Sequence, residues 1–475
     1  MNAMSDFRGG RAEQRRPKPP IAPQQIRYWI VIGFLALCAL CGGASRSEEM
    51  ALVVLRPASI VAAAALLLVP GRFDFTALRI PLILLCGFAA SIALQIIPLP
   101  PALWASLPGH GLYAETLRTA RVADTWRPLS LAPDLTWNSL LSLIPAFVAL
   151  IGVAGIDSDR RQSLAGVLIL IACASAMLGV AQLSGDGSKT FYLYGVTHAG
   201  SAVGFFANRN HEAALLALCF PMLRMWASAS SSGPAQARRR VLLACLFGLF
   251  LIPMILVTGS RAGMFLALVA LVLTWAMAPF DLRTMGLSAR IVRVGIWGLP
   301  ILGVAVITLF IALGRAEAVQ RLLLLEHVSG EGRLAFAPTT FRMIADFFPF
   351  GTGQGAFDTV FRAYEPDAAL RPTYFNHAHN DLFELAVTGG LPALLLLAGF
   401  VAWWLFASRR AFLPYRQPGK TVRAARAGSV SILLLLLASL VDYPLRTAML
   451  TAVLVIAAAW LAGIKSPPIE GGDTR

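Results

Sequence analysis

The stretch LPALLLLAGFVAWWLF, Leu391 to Phe406, runs for sixteen residues without a charged side chain. Such runs recur along the whole chain of 475 residues, of which 57% are hydrophobic and only 14% are charged. A soluble domain carries about 25% charged residues, and helices of about 17 to 25 apolar residues cross a bilayer. The sequence therefore predicts an integral membrane protein built of helices.

Twelve apolar segments predict an all-α polytopic membrane protein with about 12 transmembrane helices. The predicted spans are 27–44, 51–69, 79–97, 136–154, 163–183, 210–227, 241–258, 262–279, 294–313, 390–408, 427–441 and 445–463. An even number of spans places both termini on one side, and the arginine-rich residues before the first span indicate the cytoplasm. We therefore predict a basic cytoplasmic tail over 1–26, a transmembrane domain over 27–463 and a cytoplasmic tail over 464–475.

The net charge of +15 raises the question of nucleic-acid binding. The basic residues lie mostly in short segments between apolar blocks, where they set the topology, so nucleic acid is rejected as a partner. All six cysteines lie inside apolar blocks, which implies no disulfide framework. Cys38 and Cys41 form a C-x-x-C in an apolar helix, where packing is favoured over redox chemistry. The long polar lead favours a retained first helix over a cleaved signal peptide.

The longest predicted outer connection, 314–389, is a large periplasmic loop within the transmembrane domain. A loop of this length requires helices of its own, and TFRMIADFF, 340–348, predicts one. The stretch PFGTGQGAF, 349–357, predicts a glycine-rich turn. It lacks the Gly-Lys-Ser/Thr ending of a nucleotide P-loop, which argues against ATP binding.

Polar residues concentrate in four clusters on the predicted outer side. These lie at the start of the sixth span, between the seventh and eighth, in the large loop, and before the tenth. Their notable members are Asn208, Arg209, Asn210, His211 and Glu212; Ser260 and Arg261; Arg333 and Arg342; and His377, His379, Asn380, Asp381 and Gly390.

Arg261 lies between two apolar helices joined by almost no loop. A charge at or just inside the membrane is costly and requires a partner or a water-filled cavity. One interpretation is snorkelling at the interface. The other is an anion site, because guanidinium gives permanent, bidentate recognition of a phosphate group. Arg209 and Arg333 invite the same interpretation.

The histidine cluster before the tenth span allows three interpretations. His377, His379 and Asp381 have the composition of a metal site, but if the stretch is helical, His377 faces Asp381 and His379 points elsewhere. A histidine general base is better supported, because its pKa range suits proton transfer near neutral pH. Capping of the next helix by Asn376 or Asn380, with no chemistry, is the third.

Arginines and a histidine beside membrane helices, without a nucleotide motif, indicate that the energy for a reaction comes with the substrate. A lipid diphosphate donor fits this pattern, because its diphosphate leaves readily once arginines hold its charge.

These residues resemble the O-antigen ligase and Wzy-type polysaccharide polymerase superfamily. The resemblance rests on TGSR at 258–261, on GRL at 332–334 followed by FFPFGTGQGAF, and above all on HNDLFELAVTGGLPA from His379. His379, Asn380 and Gly390 match the family pattern. The chain departs from the pattern at Ala393, where alanine, which is also small, replaces the expected residue. NRNHEA at 208–213 and RPLSLAPDLTW at 127–137 are also similar to family segments, and the match runs from about 127 to 400.

The resemblance implies a glycosyltransferase C-like fold and metal-independent transfer of a glycan from undecaprenyl diphosphate to an acceptor hydroxyl on the periplasmic side of the inner membrane. It implies that His379 is the general base or the residue that orients the acceptor, and that Arg261 holds the donor diphosphate. Arg333 matches the arginine of the large loop, with Arg342 as a competing candidate, and we add Arg209. The expected supporting residues are Asn380, His377, Asp381, Gly390, Ser260, Asn208, Asn210 and His211.

The acceptor is left open between lipid A-core, as for a ligase, and a growing glycan, as for a polymerase, with FFANRNHEA favouring exopolysaccharide polymerase-like members. Membrane lipids are expected partners, and polysaccharide export or chain-length proteins are further candidates. No cofactor is expected. The alternative function is a multi-span transporter or flippase of lipid-linked glycans. Ionisable residues are scarce within the spans, which argues against a translocation path.

Overall fold

The protein is described by a computed structural model over residues 22–184, 190–228, 233–277, 336–367, 376–413 and 419–464. Across these ranges it is almost entirely helical, with one antiparallel pair of two-residue strands, β1 (Pro98–Leu99) and β2 (Arg127–Pro128). The α-helices are α1 (Pro23–Cys41), α2 (Ala51–Leu68), α3 (Arg79–Leu94), α4 (Pro101–Ser106), α5 (Gly111–Thr119), α6 (Pro133–Leu141), α7 (Ile144–Ala154), α8 (Ser158–Ser184), α9 (Arg209–Ala227), α10 (Pro234–Val257), α11 (Arg261–Ala276), α12 (Ala337–Phe347), α13 (Phe357–Phe361), α14 (Asp381–Phe412), α15 (Lys420–Ser439) and α16 (Ala448–Ala462). A 3₁₀ turn, Pro444–Arg446, precedes α16.

The helices confirm an all-α multi-pass membrane protein. Seven are long and apolar enough to cross a bilayer: α1, α2, α6 with α7, α8, α10, α14 and α15. Three shorter apolar helices, α3, α11 and α16, coincide with further predicted spans. The ninth predicted span, 294–313, lies outside the described residues, so the count of twelve stays a prediction.

Helix α9 coincides with the sixth predicted span but is less apolar than the others. It carries His211, Glu212 and Arg224, and nearly all of its side chains are buried against α8, α10, α11 and α15. A helix enclosed by other helices contacts little lipid, so it tolerates polar groups that a lipid-facing helix excludes. The first turn of α9 thereby brings polar side chains into the interior of the bundle, near one of its ends.

Arginines cap helix C-termini at the end of the bundle away from these polar groups. Arg27 donates to the carbonyls of Val69 at 2.7 Å and Gly71 at 2.9 Å, just beyond α2. Arg426 donates to Ala411 in α14 at 2.8 Å. The last carbonyls of a helix have no partner within it, so guanidinium groups satisfy them and favour the negative end of the dipole. The sequence places this end in the cytoplasm, which stays a prediction.

The start of the tenth span differs from the prediction. Helix α14 begins at Asp381, so the last nine residues assigned to the large loop are helical, and Gly390 lies within the helix as a kink with φ 57° and ψ −152°. The Gly389-Gly390 pair therefore bends a helix that Asn380 has already started, because the Asn380 side chain accepts from the backbone N–H groups of Leu382 and Phe383.

The described part of the large loop contains the two features predicted for it. Helix α12 covers most of TFRMIADFF, and the following glycine-rich turn packs against the kink of α14. The turn pairs with backbone groups of α14 that lie beside the kink. Thr352 N donates to Val387 O at 2.8 Å, and Leu391 N donates to Pro349 O at 2.8 Å. A hydrophobic cluster that is separate from the main core of the bundle joins α12 and α13 to α14, and it includes Phe347, Phe357 and Val387.

Candidate active site

Four separate parts of the chain meet at one end of the bundle. They are the N-termini of α9, α11 and α14 and the connection 440–447 between α15 and α16. The residues before the three helices are Asn208, Ser260 and Asn380, and each side chain accepts hydrogen bonds from the first turn of its own helix. Three of the four polar clusters predicted from the sequence therefore converge.

Asp442 lies at the centre of this convergence with 2% exposure. Its Oδ2 accepts hydrogen bonds from Asn208 Nδ2 at 3.0 Å and Asn210 Nδ2 at 2.5 Å. Its Oδ1 lies 3.6 Å from His379 Nδ1. One carboxylate thus connects α9 to the histidine before α14.

The charge of Asp442 is maintained by its neighbours. Burial by itself raises the pKa of this carboxyl group, but His379, His211 and Asn210 hold the pKa of Asp442 well below its usual range. The carboxylate is therefore ionised near neutral pH and presents a negative charge to the imidazole of His379.

The TGSR turn joins α11 to the same centre. Ser260 Oγ donates to Asn210 Oδ1 at 2.7 Å and accepts from Gly263 N at 2.9 Å. Gly259 has φ 66°, a conformation that glycine adopts without steric cost and that makes the short connection after α10 possible. Ser260, Asn210 and Asp442 form a continuous chain of side chains across three elements.

His379 lies at the surface of the site, with its side chain 20% exposed. Its backbone φ is 50°, a left-handed value that non-glycine residues rarely adopt and that is found at functional sites. The ring packs beside Tyr443, with ring centroids 5.2 Å apart. His211, 1% exposed, meets the same tyrosine at 5.4 Å. Tyr443 therefore separates a surface histidine from a buried one.

A second group of charges surrounds the first turn of α14. Glu384, 1% exposed, pairs with His377 Nδ1 at 2.9 Å and with Arg446 Nη2 at 2.8 Å. Asp381 accepts from Ser439 Oγ at 2.8 Å and lies 3.6 Å from Arg446 Nε. These pairs stabilise the segment that carries His379.

Residues 376–380 are not helical, so the pairing of His377 with Asp381 that a helix would produce does not form. The helix begins only at Asp381, and the turn before it directs His377 to Glu384. Since His377, His379 and Asp381 each face different partners, they do not form a common ligand set. Within the described ranges, no group of three or more His, Cys, Asp or Glu side chains is placed to hold a metal ion.

The predicted arginines are placed differently from one another. Arg261 is the first residue of α11, next to Ser260, and its side chain is exposed. Arg209, the first residue of α9, is half-buried, and its backbone N–H donates to His198 Nδ1 at 3.4 Å. Arg342 is on α12, 4.0 Å from Asp346 of the same helix. Arg333 lies outside the described residues. Two of the four arginines therefore flank the convergence directly.

Sequence reasoning missed the connection that completes the site. Asp442, Tyr443 and Arg446 lie in VDYPLR, 441–446, between two apolar helices. Its signal is the one that drew attention to Arg261, namely charged residues in a very short connection between predicted spans. Glu384 was visible in the histidine stretch but had no predicted partner.

The sequence of the chain was compared with models of known protein families. Residues 245–398 match the family model described as O-antigen ligase. This range includes Ser260, Arg261, the large loop, His379 and the first part of α14. No curated protein matches the chain. The match confirms, for residues 245–398, the resemblance to the O-antigen ligase family that the motifs predicted.

Proposed function

We propose that the chain transfers a glycan from undecaprenyl diphosphate to an acceptor hydroxyl during polysaccharide assembly, on the periplasmic side of the inner membrane. The family match supports glycan transfer, and the convergence of polar groups at one end of the bundle supports a one-sided reaction. The acceptor is lipid A-core for a ligase or a growing glycan for a polymerase.

In this proposal His379 is the general base. In the tautomer whose Nδ1–H faces Asp442 Oδ1, 3.6 Å away, Nε2 is the nitrogen that accepts a proton. As the acceptor oxygen attacks the anomeric carbon, its proton passes to Nε2 and the bond from that carbon to the diphosphate oxygen breaks. Attack opposite the leaving group inverts the anomeric centre. The negative charge of Asp442 stabilises the imidazolium that forms, as in an Asp-His pair of a hydrolase.

The leaving diphosphate requires positive charge. Arg261 and Arg209 are the first residues of α11 and α9, so their guanidinium groups accompany the positive ends of two helix dipoles. Together they would stabilise charge that builds on the diphosphate in the transition state. Arg333 and Arg342 on the large loop are additional candidates for contact with the donor.

The observation that carries the proposal is the placement of partly exposed His379 3.6 Å from the buried carboxylate of Asp442, at the meeting point of three helix N-termini. The test is transfer by purified protein in liposomes containing lipid-linked oligosaccharide and an acceptor. We expect release of undecaprenyl diphosphate in step with formation of a new glycosidic bond. Movement of intact lipid-linked glycan across the bilayer without cleavage would instead identify a flippase.

A further inference from the structure

Helix α12 has three distinct faces. With about 100° between successive residues, Thr340, Met343 and Phe347 lie on one side of an α-helix, and all three are at most 3% exposed. Arg342 and Asp346 form a second, charged side. The third side consists of Phe341, Ala345 and Phe348, which we name the phenylalanine stripe. It is exposed although it is apolar.

The aromatic side chains of the phenylalanine stripe are exposed on the surface of the structure. Phe341 is 54% exposed and Phe348 is 46% exposed, and Phe350 just beyond the helix is 44% exposed. Two apolar faces on one helix outside the predicted spans are unusual, because only the face that packs on the hydrophobic cluster stabilises the fold. An apolar face of this kind indicates contact with a partner or with a membrane.

The stripe continues the exposed apolar surface of α14. Pro349, between Phe348 and Phe350, accepts a hydrogen bond from Leu391 N, and Leu391 and Leu395 are 40% and 62% exposed on the membrane-spanning part of that helix. At the other end of the stripe, Phe341 meets Phe383 with ring centroids 5.0 Å apart. The apolar surface thus extends from Leu391 to the first turn of α14, roughly 14 Å higher along the helix.

We propose that the phenylalanine stripe is immersed in the lipid bilayer, so that α12 lies along the membrane boundary and places the first turn of α14 at the level of the lipid headgroups. Arg342, with its side chain 77% exposed on the adjoining charged face, is positioned to reach lipid phosphates while the stripe contacts acyl chains. His379, two residues before α14, then lies at the membrane surface.

Photo-crosslinking to lipid tests this placement. The photoreactive p-benzoylphenylalanine replaces Phe341 or Phe348, a change that conserves an aromatic ring, in full-length protein held singly in nanodiscs of phosphatidylethanolamine and phosphatidylglycerol with alkyne-tagged acyl chains. The same residue at Leu395 is the positive control within the bilayer. At Arg342 it is the matched control, because this position is exposed on the same helix but on the charged face.

We expect acyl-chain labelling at 341 and 348 to approach that at 395 and to exceed that at 342 by at least about fivefold. Labelling at 341 and 348 no greater than at 342, in protein that elutes as a single species, would overturn the proposal and leave the stripe facing water. The measurement needs no transfer activity, so it succeeds or fails independently of the proposed function.

Discussion

At position 442 a carboxylate with 2% exposure accepts two amide hydrogen bonds from Asn208 and Asn210 and faces the ring of His379. Burying a charge is unfavourable unless it is paired and hydrogen-bonded. The two asparagines provide the hydrogen bonds, and the imidazole provides the partner. Loss of any one of these partners would leave a buried charge less well compensated and would lower the stability of the fold. A buried carboxylate that depends on several partners is more typical of a functional site than of a packed core.

The first prediction concerns this pair. We expect His379→Ala to lower the transfer rate by about 10²- to 10⁴-fold, the usual contribution of a general base. Asp442→Asn keeps the size of the side chain but removes the charge opposite Nδ1. By analogy with triad aspartates, we expect it to lower kcat by about 10²-fold or more with little change in KM. Both are measured with purified protein and lipid-linked donor.

Asp159→Asn is the control for the aspartate variant, because Asp159 is an exposed carboxylate 3.8 Å from Lys420 and lies in the first turn of α8. Near-normal transfer by a well-inserted His379→Ala protein would contradict the general-base role. A raised KM with unchanged kcat in Asp442→Asn would show that the carboxylate shapes binding and does not orient the base.

The second prediction separates charge from geometry at Arg261. We expect Arg261→Ala to abolish most transfer, and Arg261→Lys to restore only a small part of it, because lysine cannot make a bidentate contact with phosphate. Arg118→Ala serves as control, since Arg118 is a 61% exposed arginine paired with Glu115 within α5. Full rescue by lysine would contradict bidentate recognition, and normal activity of Arg261→Ala would favour snorkelling.

Single residues were predictable from the sequence where an unusual type stood in an unusual place. His379, Arg261 and Asn208 are polar groups at the ends of apolar segments, and that position marks them as candidates. The choice of His379 over His377 also required the family resemblance. Asp442 was not found, because its role depends on a contact with Asn208 that is 234 positions away. Spacing along the chain carries no information about such a pair.

At the scale of the elements, α14 combines a polar first turn next to His379 and an apolar, membrane-spanning part in one kinked helix. The upper part holds Glu384 and the residues that follow His379, and the lower part is apolar. The kink at Gly390 allows the glycine-rich turn to dock so closely that a Cβ at position 390 would lie only 2.8 Å from Gly351 N. The turn and the kink therefore require each other.

The third prediction follows from this docking. In Gly390→Ala, the new Cβ would clash with the carbonyl oxygen of Pro349. The backbone conformation, which is nearly restricted to glycine, adds about 1 to 3 kcal/mol of strain. We expect a lower melting temperature in detergent and a loss of transfer, since His379 depends on the same helix.

Gly399→Ala in the same helix is the matched control. Its Cβ would make only an ordinary contact, 3.4 Å from Leu84 Cδ2, and replacing a helical glycine by alanine favours the helix by about 1 kcal/mol. Equal melting temperatures for the two variants would mean that the kink is not a stabilising feature of α14.

The elements themselves were largely predictable, because uninterrupted apolar runs leave few alternatives to helix in a membrane. The start of α14 was not, since Asp381 and Glu384 are polar and resemble loop sequence. Their burial is explained only by Arg446 and Ser439, which arrive from a different part of the chain. The break between α6 and α7 within one predicted span was likewise missed.

At the scale of the whole molecule, the bundle has two chemically different ends. One end brings together Asp442, His379 and three helix N-termini, and the other has arginines on helix C-termini. Since helix dipoles are positive at N-termini, the first end favours an anionic substrate over a cationic one. Which end faces the periplasm stays a prediction from the distribution of lysine and arginine.

The fourth prediction is that transfer does not require a divalent metal ion. His377, His379 and Asp381 face separate partners. In the proposed function, arginines would supply the positive charge that a metal would otherwise bring to the diphosphate. We expect unchanged transfer by purified protein after treatment with EDTA. Strong inhibition that is reversed by a divalent ion would contradict this prediction.

The last prediction concerns the acceptor, which lies beyond any contact within the chain. Under the proposed function, a ligase and a polymerase would share the donor, the base and the diphosphate site, and would differ only in which hydroxyl reaches His379. In a strain that lacks the gene, surface glycans with single repeats but no long polymer would identify a polymerase, and polymer retained on the lipid carrier would identify a ligase. Restoration by the wild-type chain but not by His379→Ala would assign either phenotype to transfer. Unchanged glycans would contradict the proposed function, because a chain that catalyses this transfer cannot be removed without altering the product.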